Sequence, residues 1–391
     1  MRAIRGTNPA RWAHAARRRF CGPGAAAPAT YAGLSLTPRA TFKYKNELYA
    51  EHLALIERYK AEVQAAALEA QELGAPRQPQ EAPPQQQRSA DGAAPPAAAG
   101  AEVVEAPERK AEYADTASQF AEHRKEFEET MRDKEKSRAF RQAVKEYQEQ
   151  FNHKVEIEVQ NGRELVDAGL ETSGFALLQH TSAVDDWEDP KEVQSKYYPE
   201  MRELVRGVTG ASRCLVNSHV IRKSGGATPF PPFLEVHSDF TDAYKEALVR
   251  SLSTGREQTP TFGIFEQLLG EGVTAEDLRG SRIVVVHAWR NVAEAPLRDC
   301  PLALCDGRSV GAEELIRERV SGLERYRAMH RPSHRWYWFP EKTKHEVLLF
   351  KGFDSECTRY AFHSAFEHPD VPDDVPSRFS CELRILCLIP K

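Results

Sequence analysis

The chain has 391 residues, enough for two domains or for one large domain with appendages. Its 53 Lys and Arg face 58 Asp and Glu, and the first 40 residues hold seven of the arginines and no acid. The remainder carries 46 basic and 58 acidic side chains, a net charge near −12 that argues against a nucleic-acid partner. No stretch approaches the roughly 20 apolar residues that a membrane span needs.

Residues 1–40 are rich in Arg and Ala and have no apolar run long enough for a signal-peptide core, the profile of an organellar transit peptide. Scarce serine favours the mitochondrion over the plastid. If the segment is only a disordered basic tail, the cytoplasm is the expected location. The seven cysteines form no C-x-x-C, and Cys300 and Cys305 have no second pair nearby to complete a zinc site, so all seven are read as reduced, intracellular thiols.

Residues 41–73 carry a helical stripe of Leu48, His52, Leu55, Ile56, Tyr59 and Val63. Residues 74–108 form a Pro/Gln/Ala tract with seven prolines and almost no large apolar residue, too little burial to offset chain entropy, so disorder is expected. Residues 109–150 resume as a highly charged helix. These N-terminal helices read as appendages that lie on the core or reach a protein partner.

From residue 151 to 391 the pattern changes to short β-branched runs separated by turns. Val155–Val159 alternates and ends at Asn161-Gly162, a hairpin signal. Strands are expected at Phe175–Gln179, Cys214–Ile221, Phe233–His237, Arg282–Trp289, Arg335–Phe339, Glu346–Phe350 and Arg378–Ile389. Helices are expected at Pro190–Val208, Asp242–Ser251, Pro260–Leu269 and Ala312–His330. Many strands with a few helices predict an α+β domain on a jelly-roll or cupin-like sheet sandwich with flanking helices. No G-x-G-x-x-G follows a strand, so a dinucleotide fold is excluded.

The chemistry-bearing residues lie on these runs. His237-Ser238-Asp239 ends an apolar stretch, and an imidazole and a carboxylate two apart on extended backbone point the same way. One further histidine would complete the two-His, one-carboxylate face of a non-haem Fe(II) site. His363 is the candidate, although a lone histidine among aromatic residues is more often a core residue. In the most regular strand Arg378, Ser380, Glu382 and Arg384 share one face, and Phe379, Cys381, Leu383 and Ile385 the other. The polar face reads equally as a solvated outer surface or as the wall of an acid-binding cavity.

The order H-x-D, distal His, R-x-S resembles the 2-oxoglutarate-dependent oxygenases. Additional blocks narrow the resemblance: Gly174-Phe175, Tyr197-Tyr198-Pro199-Glu200, Cys214–Ile221 with Arg222, Trp289-Arg290, Pro301–Asp306, Trp336–Pro340, Val347–Ser355 and Ala361-Phe362-His363. Together, over roughly 150–391, they are similar to the hydroxylase/desaturase (AsaB-like) family of fungal secondary metabolism, which includes CmcJ-type cephem methoxylase components and "gibberellin desaturase"-like proteins. The resemblance implies a double-stranded β-helix, Fe(II) held by His237, Asp239 and His363, and 2-oxoglutarate anchored by Arg378 and Ser380, with Arg384 as competitor. It implies a small-molecule substrate that is hydroxylated or desaturated with O2. His219 and Arg222 line the same pocket or form a strand-end pair. Arg290 is expected toward the cavity, although Asn291 replaces the proline that follows it in the family. Trp336 and Trp338 would wall an apolar substrate, but aromatics at alternating spacing are more often core. Two alternatives stay open: a cupin-type metal-dependent lyase, isomerase or hydrolase with the same ligands, and a catalytically inactive jelly-roll binding protein.

Overall fold

The computed structural model describes residues 35–58, 61, 146, 149–225, 230–257, 263–320, 323–357, 360–372 and 374–391. Nearly all of the expected transit segment, the 74–108 linker and most of the 109–150 helix lie outside these residues. Residues 1–50 with 151–391 make one compact unit and residues 51–150 a second, of which mainly helical residues 51–58 are described. Among the described residues no helix is long and apolar enough to cross a membrane.

The larger unit mixes helices with strands in three sheets. In chain order the strands are β1 (Arg39–Lys45), β2 (Asn152–Glu158), β3 (Gln160–Asn161), β4 (Phe175–Gln179), β5 (Arg213–Lys223), β6 (His237–Ser238) and β7 (Ser281–Asn291). They continue as β8 (Leu302–Cys305), β9 (Leu315–Val320), β10 (Leu323–Ala328), β11 (Trp336–Trp338), β12 (Glu346–Asp354), β13 (His363–Ala365) and β14 (Phe379–Pro390). One large sheet has the order β3-β11-β8-β13-β6-β10-β9, the other β4-β12-β7-β14-β5, and β1 pairs with β2. From β5 onward the chain passes repeatedly between the two large sheets.

The long strands obey simple alternation. On β14, Cys381, Leu383, Ile385 and Cys387 pack with Tyr197, Met201, Leu204 and Val205 of the helical stretch Pro190–Thr209. The opposite face carries Arg378, Ser380, Glu382 and Arg384. Cross-strand register puts Glu382 beside Trp289 and Arg384 beside His287 of β7, so these side chains share the inner face. Helix-covered and inner faces are thus assigned by two-residue periodicity alone.

Three expectations are corrected. Residues 41–45 are strand, not the start of a helix, because Ala40, Phe42 and Tyr44 are buried on one side of an alternating Arg39–Lys45; the helix occupies residues 47–58. Asn161-Gly162 is not a hairpin turn. Asn161 accepts from the Arg163 amide and starts a 3-10 turn, and β3 runs parallel to β11. The helix expected over Ala312–His330 is instead the β9–β10 pair. Its Arg and Glu residues favour helix in isolation, yet here they match across strands: Arg319 donates to Glu324 at 2.6 Å, and Arg325 pairs with Glu318. Ile316 and Glu318 alternate with exposed Arg317 and Arg319.

At Gly352 the pairing of β12 with β7 slips between Lys351 and Phe353. A Cβ placed there would overlap the imidazole of His287, which is fully buried and stacked on Phe350 with centroids 4.5 Å apart. His287 has no room to withdraw, because its Nδ1–H donates to Glu382 at 2.9 Å. Gly352→Ala is therefore expected to destabilise the fold by ~1–3 kcal/mol, read as a lower urea midpoint at unchanged slope; an unchanged midpoint would show that the site relaxes freely.

Candidate metal centre

His237 is the first residue of the two-residue strand β6, and His363 the first of β13. The two strands pair antiparallel with His363 directly opposite His237, and the ring centroids lie 4.1 Å apart. Asp239 follows β6 and brings Oδ1 to 3.4 Å from Nε2 of His237. One donor atom from each of the three residues falls within 4.8 Å of the others.

The backbone settles which nitrogen each histidine offers. Nδ1 of His237 lies 2.8 Å from the Glu235 carbonyl, and Nδ1 of His363 lies 3.2 Å from the Ala361 carbonyl. A carbonyl only accepts, so both Nδ1 atoms carry the proton and both Nε2 lone pairs remain for a metal. Burial pushes the His363 pKa down to about 3, with His237 beside it adding to the effect, so the ring is neutral at physiological pH. Burial opposes ionisation of Asp239, but the Arg384 guanidinium and His237 outweigh it and hold the carboxyl well below its usual range. Two imidazoles offering Nε2 and one ionised carboxylate fit the donor set of a non-haem Fe(II) centre.

His237 and His363 open on a pocket lined also by Arg222, Arg378, Glu382 and Arg384, with Phe233, Leu302 and Ala365 as its apolar part. Arg378 is buried; its Nε donates to Ser380 Oγ at 3.0 Å and its Nη1 to the Cys300 carbonyl at 2.8 Å. Its guanidinium lies 5.0 Å from the Trp289 ring centroid. Among the described residues no carboxylate pairs with the Arg378 side chain, and burial pulls its pKa down to about 10. Arg384, by contrast, is already engaged: Nε and Nη2 reach Asp239 Oδ2 at 2.7 and 2.6 Å. Glu382 accepts from Arg384 at 3.2 Å and from His287 at 2.9 Å.

Four residues read toward the pocket are placed elsewhere. Arg290 sits opposite Cys381, on the helix-covered face, where it meets the Tyr197 hydroxyl at 3.1 Å and His180 at 2.7 Å. His219 lies opposite Leu383 and bonds the Tyr198 hydroxyl at 2.8 Å. Trp336 and Trp338 are core side chains whose indole N–H groups bond Tyr44 and the Leu36 carbonyl. Arg222 does reach the cavity, with Nη1 donating to the Pro231 carbonyl at 3.0 Å. The residue that sequence reasoning missed is His287; its signal was a histidine within the β-branched run Ile283–Trp289, in phase with Trp289.

A family model described as "Oxidoreductase/YMDC permease-like domain" matches residues 119–388. The chain belongs to this family. It is 28% identical over 254 residues to alpha-ketoglutarate-dependent dioxygenase phiK of a fungal species, covering 59% of this chain and 88% of that one. It is 30% identical to hydroxylase/desaturase efuI of Hormonema carpetanum, covering 56% and 77%. Among solved structures, the iron and alpha-ketoglutarate-dependent endoperoxidase NvfI superposes with a TM-score of 0.52 at 25% identity, over 61% of this chain and 88% of that one. With these relatives the chain stands in the Fe(II)/2-oxoglutarate-dependent oxygenase superfamily.

His237→Ala and His363→Ala each remove one of the three candidate metal donors. Each is expected to weaken Mn(II) binding by at least about 100-fold, more than loss of an outer-shell partner would cost, with an unchanged far-UV CD spectrum. Wild-type affinity in either variant would remove that histidine from the centre.

Proposed function

We propose that this chain hydroxylates or desaturates a small organic metabolite with O2, Fe(II) and 2-oxoglutarate. The observation that carries the reading is Arg378: a buried guanidinium with no carboxylate partner among the described residues, in the same pocket as His237 and His363. Leaving such a cation buried is costly unless an anion completes it. The distal carboxylate of a 2-oxo diacid does so, with the Ser380 hydroxyl beside it.

Fe(II), when bound, supplies the O2-dependent decarboxylation of 2-oxoglutarate to succinate and CO2 and the oxidising power that breaks a substrate C–H bond. The chain holds the metal through three donors and leaves the remaining positions free. Arg378 and Ser380 bind and orient the cosubstrate, and Phe233, Leu302 and Ala365 exclude water from the reacting region. The passage of successive strands between two antiparallel layers supports reading the core as a double-stranded β-helix, with β5-β14-β7-β12 as one layer and β6-β13-β8-β11 as the other. The blocks shared with AsaB-like proteins support placement in that subgroup.

Purified protein with Fe(II) is expected to release succinate from 2-oxoglutarate when the right member of a metabolite panel is present. Arg378→Ala is expected to raise the 2-oxoglutarate requirement by about 10-fold or more, the loss of a charge-assisted bond of ~1.5–3 kcal/mol. Metal binding without succinate under any condition favours the lyase, isomerase or hydrolase reading; an unchanged requirement in Arg378→Ala moves the anchor elsewhere.

We also propose a mitochondrial location, on the arginines and absent acids of residues 1–40. A fluorescent protein fused behind those residues is expected to enter mitochondria; a diffuse cytoplasmic signal would refute the targeting role.

A further inference from the structure

The polar face of β14 carries two arginines, and their surroundings differ. Arg378 lines the pocket and makes no ion pair among the described residues. Arg384 places two donors of its guanidinium fork, Nε at 2.7 Å and Nη2 at 2.6 Å, on a single oxygen, Oδ2 of Asp239. The other oxygen, Oδ1, is the one that lies 3.4 Å from Nε2 of His237. Arg384 is itself fixed from behind, because Glu382 Oε1 accepts from Nη2 at 3.2 Å and from the His287 imidazole at 2.9 Å. His287 in turn is wedged against Gly352 and stacked on Phe350. A continuous chain of contacts therefore runs from a rigid core imidazole through a carboxylate and a guanidinium to a metal-ligating carboxylate.

We infer that Arg384 is a positioning residue for the metal centre: it occupies Oδ2 of Asp239, so that Oδ1 alone is presented beside the His237 and His363 nitrogens. A carboxylate held in this way ligates through one oxygen. If freed, it can turn about its Cβ–Cγ bond and offer both, taking a position that the cosubstrate or O2 requires. Arg384 already pairs through Nε and Nη2 with Asp239 and Glu382, whereas Arg378 makes no ion pair among the described residues, which favours Arg378 as the 2-oxo acid anchor. This inference rests on the metal centre proposed above and goes beyond it by giving Arg384 a distinct role.

The test separates geometry from charge. Arg384→Lys keeps the positive charge and loses the planar two-donor fork. In the full-length protein, Mn(II) titration followed by EPR without 2-oxoglutarate is expected to show affinity about 10- to 100-fold weaker than wild type, the usual cost of losing an outer partner of a ligand. Arg378→Lys, on the same face but away from Asp239, is expected to keep wild-type Mn(II) affinity while raising the 2-oxoglutarate requirement. Wild-type Mn(II) affinity in folded Arg384→Lys overturns the inference. If that variant does not fold, Arg384→Gln serves, titrated with Mn(II) across pH: binding still weaker than wild type at the alkaline end, where Asp239 stays ionised without the cation, reports lost positioning, and wild-type or tighter binding there overturns the inference. If His237→Ala binds Mn(II) as tightly as wild type, the metal centre itself fails and this inference with it, a result distinct from failure at Arg384 alone.

Discussion

The centre depends on one register. β6 is two residues long, and its pairing with β13 consists of His237 opposite His363. A slip of one residue would turn one imidazole to the other face of the sheet, so the short strand must be pinned by its neighbours. β10 pairs with it on the other edge, Arg327 opposite His237 and Tyr326 opposite Ser238. Ser238 Oγ donates across to the Gly352 carbonyl of the second large sheet at 3.2 Å. The preceding loop is laced to β1, where the Val236 amide donates to Lys43 at 3.0 Å, and to β13, where the Ala365 amide donates to Phe233 at 2.9 Å. Residues 39–45 and the β9–β10 pair thus position the candidate ligands although neither contributes one.

Buried charge around this register is arranged in alternating sign. Asp239, Arg384 and Glu382 follow one another within hydrogen-bond reach with alternating charge, and the His287 Nδ1–H donates to Glu382. Burial alone would favour neutral carboxyls, yet Arg384 and His287 hold Glu382 well below its usual range. Such a network is costly when broken and carries geometric information when intact. Arg378 departs from the pattern, its side chain being buried with only neutral acceptors among the described residues.

Much of this was legible in the chain. The alternation of Phe379–Pro390 needed no tertiary information, because a sheet with two differently occupied faces writes period two into its sequence. His237 and Asp239 were readable as a pair for the same reason, whereas joining them to His363 required the order of motifs along the chain. The β9–β10 pair was not readable: Arg and Glu residues satisfy helix propensity, and only cross-strand partners reveal the strand. Arg290, Trp336 and Trp338 show the other limit. Their residue types suit a pocket, but which face of a strand looks into the cavity is decided by what covers the opposite one. His287 escaped notice because a histidine in an apolar run reads as core; here it is core and also the buttress of the polar network.

Trp289 lies against two buried basic side chains that make no ion pair among the described residues. Its ring lies 3.8 Å from the Lys342 ammonium and 5.0 Å from the Arg378 guanidinium. Lys342 is also buried, donates to the Trp289 carbonyl at 3.0 Å and makes no ion pair among the described residues; burial drives its pKa well below the ordinary value. The negative face of an indole offsets part of a cation's desolvation without neutralising it, as a carboxylate would. A carboxylate at this position would close an ion pair with Arg378 and remove its attraction for an anionic ligand. An aromatic ring supports the cation and leaves its charge available, so Trp at 289 and an Arg378 side chain that makes no ion pair among the described residues are two parts of the same electrostatic arrangement.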